Sequence, residues 1–140
     1  MQPVESPLAE EDRKPVILLV EDEVIVSFAT AEHLRENGCV VIEARNAREA
    51  IDVLFGETRI DLVITDVMMP ESMDGFGLAK WIETNRPDLP FILTSGVPRN
   101  PAVLTDKEMA WPFLPKPYDL DALHVMVRRL LGPAGKEASK

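Results

Sequence analysis

The sequence predicts an α/β domain in which five parallel strands form a doubly wound sheet. Three observations favour this fold: the 140 residues suit a single domain, short branched apolar runs recur along the chain, and amphipathic segments separate those runs. A run that is apolar at every position indicates a strand covered on both faces, as in parallel sheets. Parallel neighbours require crossover helices, and right-handed crossovers place helices on both sides of the sheet.

The first predicted strand and helix show both signals. Residues 16–20 read Val-Ile-Leu-Leu-Val, a continuous branched run that predicts a buried strand. Residues 24–37 follow with helical spacing of their apolar positions, and Gly38 is the expected C-terminal stop. The predicted apolar stripe of this helix consists of Val24, Phe28, Ala31 and Leu34.

The remaining elements alternate in the same way. They are predicted as a strand over 40–44, a helix from the capping-box-like Asn46–Glu49 to about Gly56, a strand centred on 62–64, a helix over 75–85, a strand over 91–94, a weaker helix over 103–109, a short strand at 113–114, and a helix capped by Asp119 that runs through Leu131. Residues 1–14 and 132–140 lack an apolar pattern, so we expect flexible tails around a domain of residues 15–131.

The composition excludes several classes of function. Lysine and arginine number 15 against 24 aspartates and glutamates, and a net charge of −9 opposes binding to nucleic acids and anionic membranes. No apolar run approaches the roughly 18 residues that span a bilayer. Cys39 is the single cysteine, which excludes an internal disulfide and suits a reducing compartment. We therefore expect a cytoplasmic protein with no direct nucleic acid or membrane partner.

Polar side chains follow four of the predicted strands, at the sheet edge where ligands bind in such folds. They are Glu21, Asp22 and Glu23 after the first strand, Asp66 after the third, Ser95 after the fourth and Lys116 after the fifth. Each has an ordinary interpretation alone, and for Glu23 a role at the start of a helix is favoured. Together they favour a site, because separate strands deliver complementary groups to one edge.

The chemistry of this cluster indicates phosphoryl transfer. Clustered carboxylates raise one another's pKa unless a cation neutralises them. Lys116 supplies one positive charge, and a hard divalent ion such as Mg²⁺, or Mn²⁺, would supply the rest through oxygen ligands. A carboxylate beside such an ion and an ammonium group can act as a nucleophile toward phosphorus and form an acyl phosphate.

Five segments form a highly specific pattern, because they occur in order at characteristic spacing. They are 17–23 (Ile-Leu-Leu-Val-Glu-Asp-Glu), 61–70 (Asp-Leu-Val-Ile-Thr-Asp-Val-Met-Met-Pro), 73–75 (Met-Asp-Gly), 90–96 (Pro-Phe-Ile-Leu-Thr-Ser-Gly) and 114–118 (Leu-Pro-Lys-Pro-Tyr). With this pattern, residues 15 to about 131 resemble the receiver domains of bacterial two-component response regulators. The resemblance implies a flavodoxin-like sheet of order 2-1-3-4-5 and phosphoryl transfer from a histidine kinase or a histidine phosphotransfer protein.

The resemblance also implies a role for each site residue. Asp66 aligns with the phosphoacceptor, Asp22 with the direct Mg²⁺ ligand and Glu21 with an acidic neighbour that acts largely through water. The backbone carbonyl of Met68 aligns with a further metal ligand. Lys116 aligns with the lysine that pairs with the phosphoryl group.

Three further positions are assigned by the same resemblance. Ser95, rather than Thr94, aligns with the switch hydroxyl. Phe113 aligns with the switch aromatic, where many relatives have tyrosine, so packing alone must drive any movement of its ring. The bond between Lys116 and Pro117 is cis in similar proteins, which would aim the lysine into the cleft.

The sequence departs from the family pattern in several places. The loop 70–75 is one residue longer than usual, and three prolines in 98–112 predict a short or irregular fourth helix. Met68 and Val97 are apolar where relatives use polar side chains to orient hydrolytic water, so we expect slow self-dephosphorylation. One interpretation of the aromatic side chains near the fifth strand is an exposed patch for a partner, comprising Trp111, Pro112, Phe113 and Tyr118.

The leading interpretation is a stand-alone phosphoacceptor switch rather than an enzyme, since few residues follow the last helix. We expect it to contact an unidentified downstream protein through the fourth helix, fifth strand and fifth helix, as a monomer or a phosphorylation-dependent dimer. A metal-dependent aspartyl phosphatase is an alternative, but Met68 stands where those enzymes usually have a second aspartate. A receiver-like interaction module that needs no phosphate is another alternative, which the complete set of site residues opposes.

Overall fold

Five strands and five helices alternate along the residues that the computed structural model describes, 13–69 and 73–131. The strands are β1 (Val16–Val20), β2 (Val40–Ala44), β3 (Leu62–Asp66), β4 (Phe91–Ser95) and β5 (Phe113–Pro115). The helices are α1 (Val24–Glu36), α2 (Ala47–Phe55), α3 (Gly75–Asn85), α4 (Asp106–Met109) and α5 (Leu120–Leu130). The strand pairings are parallel and the sheet order is β2-β1-β3-β4-β5, which confirms the predicted doubly wound, flavodoxin-like fold.

The predicted domain boundaries and flexible tails stay predictions. Of the tails at 1–14 and 132–140, only residues 13 and 14 belong to the described part of the chain. The longer loop at 70–75 is also only partly covered, because residues 70–72 lie outside the described ranges. Among the helices of those ranges, none combines the length and the apolar character that a membrane crossing requires.

The sheet separates two apolar clusters, one on each face. Side chains alternate along the central strands, so that Leu18 and Val63 face one cluster while Leu19 and Ile64 face the other. Helices α2 and α3 cover the first cluster, and α1 and α5 cover the second. Every residue of β3 and β4 is buried, as the continuous apolar runs predict for strands covered on both faces.

The predicted apolar stripe of α1 is only half right. Ala31 and Leu34 are buried as predicted, but Val24 and Phe28 are largely exposed. The buried positions of the first two turns are taken instead by a serine and a threonine, and the full buried set of α1 is Ser27, Thr30, Ala31 and Leu34. The apolar periodicity therefore misplaced the N-terminal half of the buried face.

Hydrogen bonds explain why polar side chains occupy that half of α1. The Ser27 hydroxyl donates to Glu43 Oε1 over 2.7 Å, and Thr30 Oγ1 lies 2.9 Å from Tyr118 Oη. A buried hydroxyl with a partner avoids the free-energy cost of burying an unsatisfied polar group. Because these hydroxyl groups have partners inside, the first two turns of α1 can leave Val24 and Phe28 at the surface.

The ends of α1 and α2 follow the predicted capping chemistry. Asn46 Oδ1 accepts from the Glu49 backbone N–H over 2.9 Å, which confirms the helix start. The Glu49 side chain also reaches back past the helix start, because its Oε1 accepts from the Arg45 N–H over 2.8 Å. Gly38 ends α1 with φ at +93°, a left-handed conformation that favours glycine.

The β4–β5 segment, residues 96–112, contains the short fourth helix that the prolines predict. Helix α4 covers four residues rather than 103–109, and a complete capping box between Thr105 and Glu108 begins it. Two ion pairs connect α4 to α3, because Lys80 Nζ lies 3.2 Å from Glu108 Oε2 and Lys107 Nζ lies 3.3 Å from Glu83 Oε1.

The predicted exposed aromatic patch is wrong. Trp111 is only 8% exposed and packs in the first apolar cluster against Phe76 and Phe91. Its indole N–H donates to Glu83 Oε2 over 3.0 Å, so the polar end of the ring is also satisfied. Tyr118 packs against the second cluster, on the other face of the sheet. The aromatic residues therefore divide between two cores instead of forming one surface.

Candidate functional site

The carboxyl ends of β1, β3 and β5 bring three predicted site residues into direct contact. Lys116 Nζ lies 2.9 Å from Glu21 Oε1 and 3.0 Å from Asp66 Oδ2. The carboxylates are almost fully enclosed, with side-chain exposures of 2% for Glu21 and 6% for Asp66, and the Lys116 side chain is 16% exposed. One ammonium group thus bridges two buried acids at the predicted edge of the sheet.

A third carboxylate approaches the same ammonium group. Glu23 Oε1 lies 3.5 Å from Lys116 Nζ. Glu23 occupies the N-cap position of α1, as the helix-start interpretation predicts, but its side chain makes no capping hydrogen bond. The sequence interpretation therefore missed the ion pair of Glu23 with Lys116. The available signal was its place next to Glu21 and Asp22, which kept it at the same strand end.

Burial and hydrogen bonding have opposite effects on the pKa values of Glu21 and Lys116. Burial raises the pKa of Glu21 above its usual value, although hydrogen bonds from Lys116 and from the Glu23 backbone N–H oppose that rise. Burial also opposes the charged form of Lys116, but its hydrogen bonds to Glu21 and Asp66 outweigh burial and raise its pKa. Lys116 therefore stays protonated at neutral pH and balances part of the carboxylate charge.

The carboxylates have the arrangement that a hard metal ion requires. Glu21, Asp22 and Asp66 each offer one carboxylate oxygen, and these oxygens all lie within 4.8 Å of one another. Mg²⁺ and Mn²⁺ prefer oxygen ligands and can retain several waters, so this donor set fits either ion. The Met68 backbone N–H donates to Asp66 Oδ1 over 3.2 Å, which places the start of the following loop beside the Asp66 carboxylate.

Backbone packing fixes Asp66 at the end of β3. The Val67 N–H donates to the Thr94 carbonyl over 2.8 Å, and the Gly75 N–H donates to the Val67 carbonyl over 3.0 Å. A Cβ atom at Gly75 would lie 2.4 Å from the Asp66 carbonyl oxygen, closer than van der Waals contact permits. Glycine at position 75 therefore lets the start of α3 approach the backbone of Asp66.

Two contacts hold the loop that carries Lys116. The Lys116–Pro117 peptide bond is cis, as the resemblance implies, and the Lys116 N–H donates to the Ser95 carbonyl over 2.8 Å. The hydrogen bond between Thr30 and Tyr118 joins the same loop to α1, and burial raises the pKa of Tyr118 so that its hydroxyl keeps its proton. Sequence reasoning missed Thr30, because its partner Tyr118 lies 88 residues away along the chain.

The two predicted switch residues, Ser95 and Phe113, lie on the neighbouring strands β4 and β5. Ser95 is buried at the end of β4, and its Oγ accepts from the Val97 N–H over 3.0 Å. Phe113 begins β5 and pairs with Leu93, two residues before the register pair of Ser95 and Pro115. Its half-buried ring packs against the first apolar cluster.

A comparison with known families agrees with this geometry. The model of the response regulator receiver domain matches residues 17–128. The chain belongs to this family. Receiver domains are phosphoacceptors rather than enzymes of the usual turnover kind, and the pocket of Glu21, Asp22 and Asp66 is typical of the receiver Mg²⁺ site.

Individual relatives show the same similarity. The chain is 37% identical over 119 residues to the sensor kinase CckA of Brucella abortus, a match that covers 82% of the chain and 12% of that protein. A signal receiver domain of a histidine kinase from Syntrophus aciditrophicus is 35% identical with a TM-score of 0.74, covering 84% of this chain and 89% of that one. A receiver protein from Sinorhizobium medicae is 27% identical with a TM-score of 0.75, covering 86% and 97%.

The curated relatives are longer than this receiver domain. The chain spans 12% of the length of CckA and 25% of the transcriptional regulator NtrC of Escherichia coli. The shared part is the receiver domain itself, so the similarity extends to the sheet and the acidic pocket. The remaining parts of those proteins have no counterpart in the matched residues.

Proposed function

We propose that this receiver domain accepts a phosphoryl group on Asp66 from a phosphohistidine of a histidine kinase or a histidine phosphotransfer protein. The observation that supports this most is the contact of Lys116 Nζ with Asp66 Oδ2 at 3.0 Å, inside a group of carboxylates that fits a hard metal ion. A buried carboxylate paired with an ammonium group is a suitable nucleophile for phosphorus.

The transfer step follows from the groups present. A carboxylate oxygen of Asp66 attacks phosphorus, the new O–P bond forms, and the N–P bond of the phosphohistidine breaks with its electron pair going to the imidazole. Lys116 stabilises the negative charge on the phosphoryl oxygens. Mg²⁺ or Mn²⁺, held by Glu21, Asp22, Asp66 and the Met68 carbonyl, would supply further positive charge to those oxygens.

Ser95 and Phe113 are the proposed reporters of phosphorylation. The Ser95 Oγ accepts a hydrogen bond from the Val97 N–H, so its own hydrogen stays available to donate to a phosphoryl oxygen. That new bond would favour a closer position of the loop after β4, and the ring of Phe113 would respond by repacking. Phosphorylation then shifts the population between two arrangements of the same domain.

Exposed apolar side chains near the pocket support a protein as the phosphoryl donor. Val24, Ile25 and Phe28 are largely exposed on the first two turns of α1, which begins directly after the site acids. Met68 and Val97 are also exposed on the loops that follow β3 and β4. Apolar side chains around a charged cleft suit contact with a folded partner more than they suit a small donor alone.

The same two loop side chains support slow loss of the phosphoryl group. Neither Met68 nor Val97 has a polar atom that can orient a water for attack on the acyl phosphate. We therefore expect the phosphorylated form to persist for minutes or longer after excess donor is removed. The label remaining on the protein over time measures this, and decay within seconds would contradict it.

The decisive experiment incubates the chain with Mg²⁺ and acetyl phosphate and follows its intact mass. The wild type is expected to gain one phosphoryl group, and Asp66→Asn is expected to gain none. Asp52→Asn is a matched control, because that aspartate is exposed on α2 away from the pocket. A wild type that gains no mass would overturn the proposal. A mass gain of one phosphoryl group in Asp66→Asn would show that another residue is the acceptor.

Further measurements separate the alternatives. Size-exclusion chromatography of both forms distinguishes a monomer from a phosphorylation-dependent dimer. Repeated turnover of a phosphate ester would support an aspartyl phosphatase instead. Normal signalling by Asp66→Asn through the downstream protein would support an interaction module that needs no phosphate.

A further inference from the structure

The side chain of Arg99 connects the start of the β4–β5 segment to its end and to the first residue of β5. Arg99 follows Ser95 by four residues, on the loop after β4. Its guanidinium carbon lies 4.4 Å from the centre of the Phe113 ring. This distance is within the range of a cation–π contact, in which arginine is the more frequent cation because its planar guanidinium can stack on an aromatic face.

The same guanidinium also binds the backbone that leads into β5. Arg99 Nη1 donates to the Met109 carbonyl at the end of α4 and to the Trp111 carbonyl, the latter over 3.5 Å. Trp111 is buried in the first apolar cluster, so this backbone is anchored on its other side. One side chain therefore joins the loop after Ser95, the end of α4 and the ring at the start of β5.

We propose that Arg99 is a positioning residue that couples the loop after Ser95 to the ring of Phe113. This inference rests on the proposed function, since it concerns how phosphorylation of Asp66 reaches Phe113. Phe113 has no hydroxyl group, so the ring cannot follow the loop through a hydrogen bond of its own. The Arg99 guanidinium supplies that connection through its contact with the ring and its hydrogen bonds to the Met109 and Trp111 carbonyls. Movement of the loop after Ser95 therefore moves the guanidinium that contacts the Phe113 ring.

A structural role alone has a different consequence. The Met109 carbonyl is the last of α4, and an arginine that donates to it can stabilise the helix end without any part in switching. Loss of that role alone would loosen α4 equally in the presence and absence of phosphate. Loss of coupling would instead reduce the change at the Phe113 ring between the unphosphorylated and phosphorylated forms. The two roles are therefore distinguished by measuring that change.

The test places 4-fluorophenylalanine at position 113 of the full chain and records its ¹⁹F resonance before and after treatment with acetyl phosphate and Mg²⁺. The phosphorylated fraction is measured by intact mass in the same samples. In Arg99→Met the phosphorylated fraction is expected to stay within about two-fold of wild type, because Arg99 touches none of the site acids. The phosphorylation-dependent change in the resonance is expected to fall by about five-fold, at the low end of common coupling factors.

Two further variants complete the test. Arg99→Lys keeps a cation for the ring, so it is expected to recover at least part of the lost change. Arg48→Met is the matched control, because Arg48 is exposed on α2 and should leave the change intact. A full-sized change in Arg99→Met, or no recovery in Arg99→Lys, overturns the coupling role while leaving phosphorylation of Asp66 in place. A wild type that gains no phosphoryl group overturns the proposed function itself.

Discussion

The carboxyl edge of the sheet and the β4–β5 segment are held in place by different forces. At the edge, charged side chains stand on the ends of buried strands, and backbone hydrogen bonds from Val67 and Lys116 fix their spacing. The β4–β5 segment has one four-residue helix, and side chains hold it to α3. The first region is positioned by the sheet, whereas the second depends on what its side chains can reach.

This difference has a consequence for energetics. Ion pairs at the surface contribute little to the free energy of unfolding, so the pairs from Lys80 and Lys107 cannot by themselves hold α4 against α3. The burial of Trp111 and its hydrogen bond to Glu83 must supply most of that attachment. At the edge, by contrast, Lys116 offsets carboxylates that burial would otherwise make costly.

The largest expected effect comes from removing the buried ammonium group with Lys116→Met. Glu21 and Asp66 would then be enclosed without their counter-ion, so the free energy of unfolding at pH 7 should fall by about 3 kcal/mol in urea titrations without metal. Phosphoryl acceptance from acetyl phosphate should slow by roughly 100-fold, because one charge on the transferring oxygens is lost.

The matched control for this prediction is Lys107→Met. Lys107 also pairs with a glutamate, but its side chain is 74% exposed and lies in the β4–β5 segment. Its removal should cost less than about 1 kcal/mol and leave phosphoryl acceptance unchanged. Equal losses in the two variants would contradict the distinction between the two regions.

Substitutions of Trp111 are expected to loosen only the β4–β5 segment. Trp111→Ala removes a buried aromatic side chain from the first apolar cluster and should lower the free energy of unfolding by about 3 kcal/mol. Trp111→Phe keeps most of the packing but loses the hydrogen bond to Glu83, so about 1 kcal/mol is expected. Urea unfolding measures both variants.

The rate of phosphoryl acceptance distinguishes the loss of stability in the Trp111 variants from that in Lys116→Met. Both Trp111 variants should still accept a phosphoryl group on Asp66 at a rate near that of the wild type, measured at a temperature where each is folded. A Trp111→Ala protein that is as slow as Lys116→Met would show that the segment and the acid site are not independent. In that case the side-chain attachment of α4 would also position the pocket.

The sequence predicted the sheet and the acid site well because both depend on local signals that the fold brings together. Continuous apolar runs indicated buried strands, and the residues after them lie at one edge in any parallel doubly wound sheet. Glu21, Asp66 and Lys116 meet there as predicted. Only the contact of Glu23 with Lys116 escaped, since a helix-start role was enough to account for that acid.

The failures have one physical origin, which is long-range side-chain pairing. The helical period cannot show that Thr30 finds Tyr118, so α1 was predicted to bury Val24 and Phe28 instead. In the same way, no local pattern indicates that Trp111 reaches Glu83 on α3, so the sequence alone favours a surface patch of aromatic residues. Such partners become visible only when the elements are placed in space.

The smallest expected effect tests how much the charged contacts of the β4–β5 segment contribute. The bond from the Thr105 backbone N–H, followed by that from Lys80, holds the pKa of Glu108 below its ordinary value. A carboxyl group whose pKa is lowered on folding stabilises the protein above its unfolded pKa, and that stabilisation is lost as the pH falls through the folded pKa. Glu108→Gln should therefore be less stable than the wild type at neutral pH, and the gap should close in acid.

The gap is measured as the difference in unfolding free energy between wild type and Glu108→Gln, at neutral pH and at several values below the ordinary carboxyl pKa. The titrations of the site acids are common to both proteins and cancel in this difference. Thr105→Val is the control, because it removes the hydroxyl that accepts from the Glu108 N–H but keeps the carboxyl group. The Thr105 side chain is the smallest of the causes that lower the pKa of Glu108, so the deficit of Thr105→Val should vary less with pH than that of Glu108→Gln. A Glu108→Gln gap that stays constant in acid would mean that charge contributes nothing to α4, leaving Trp111 as the anchor of the segment.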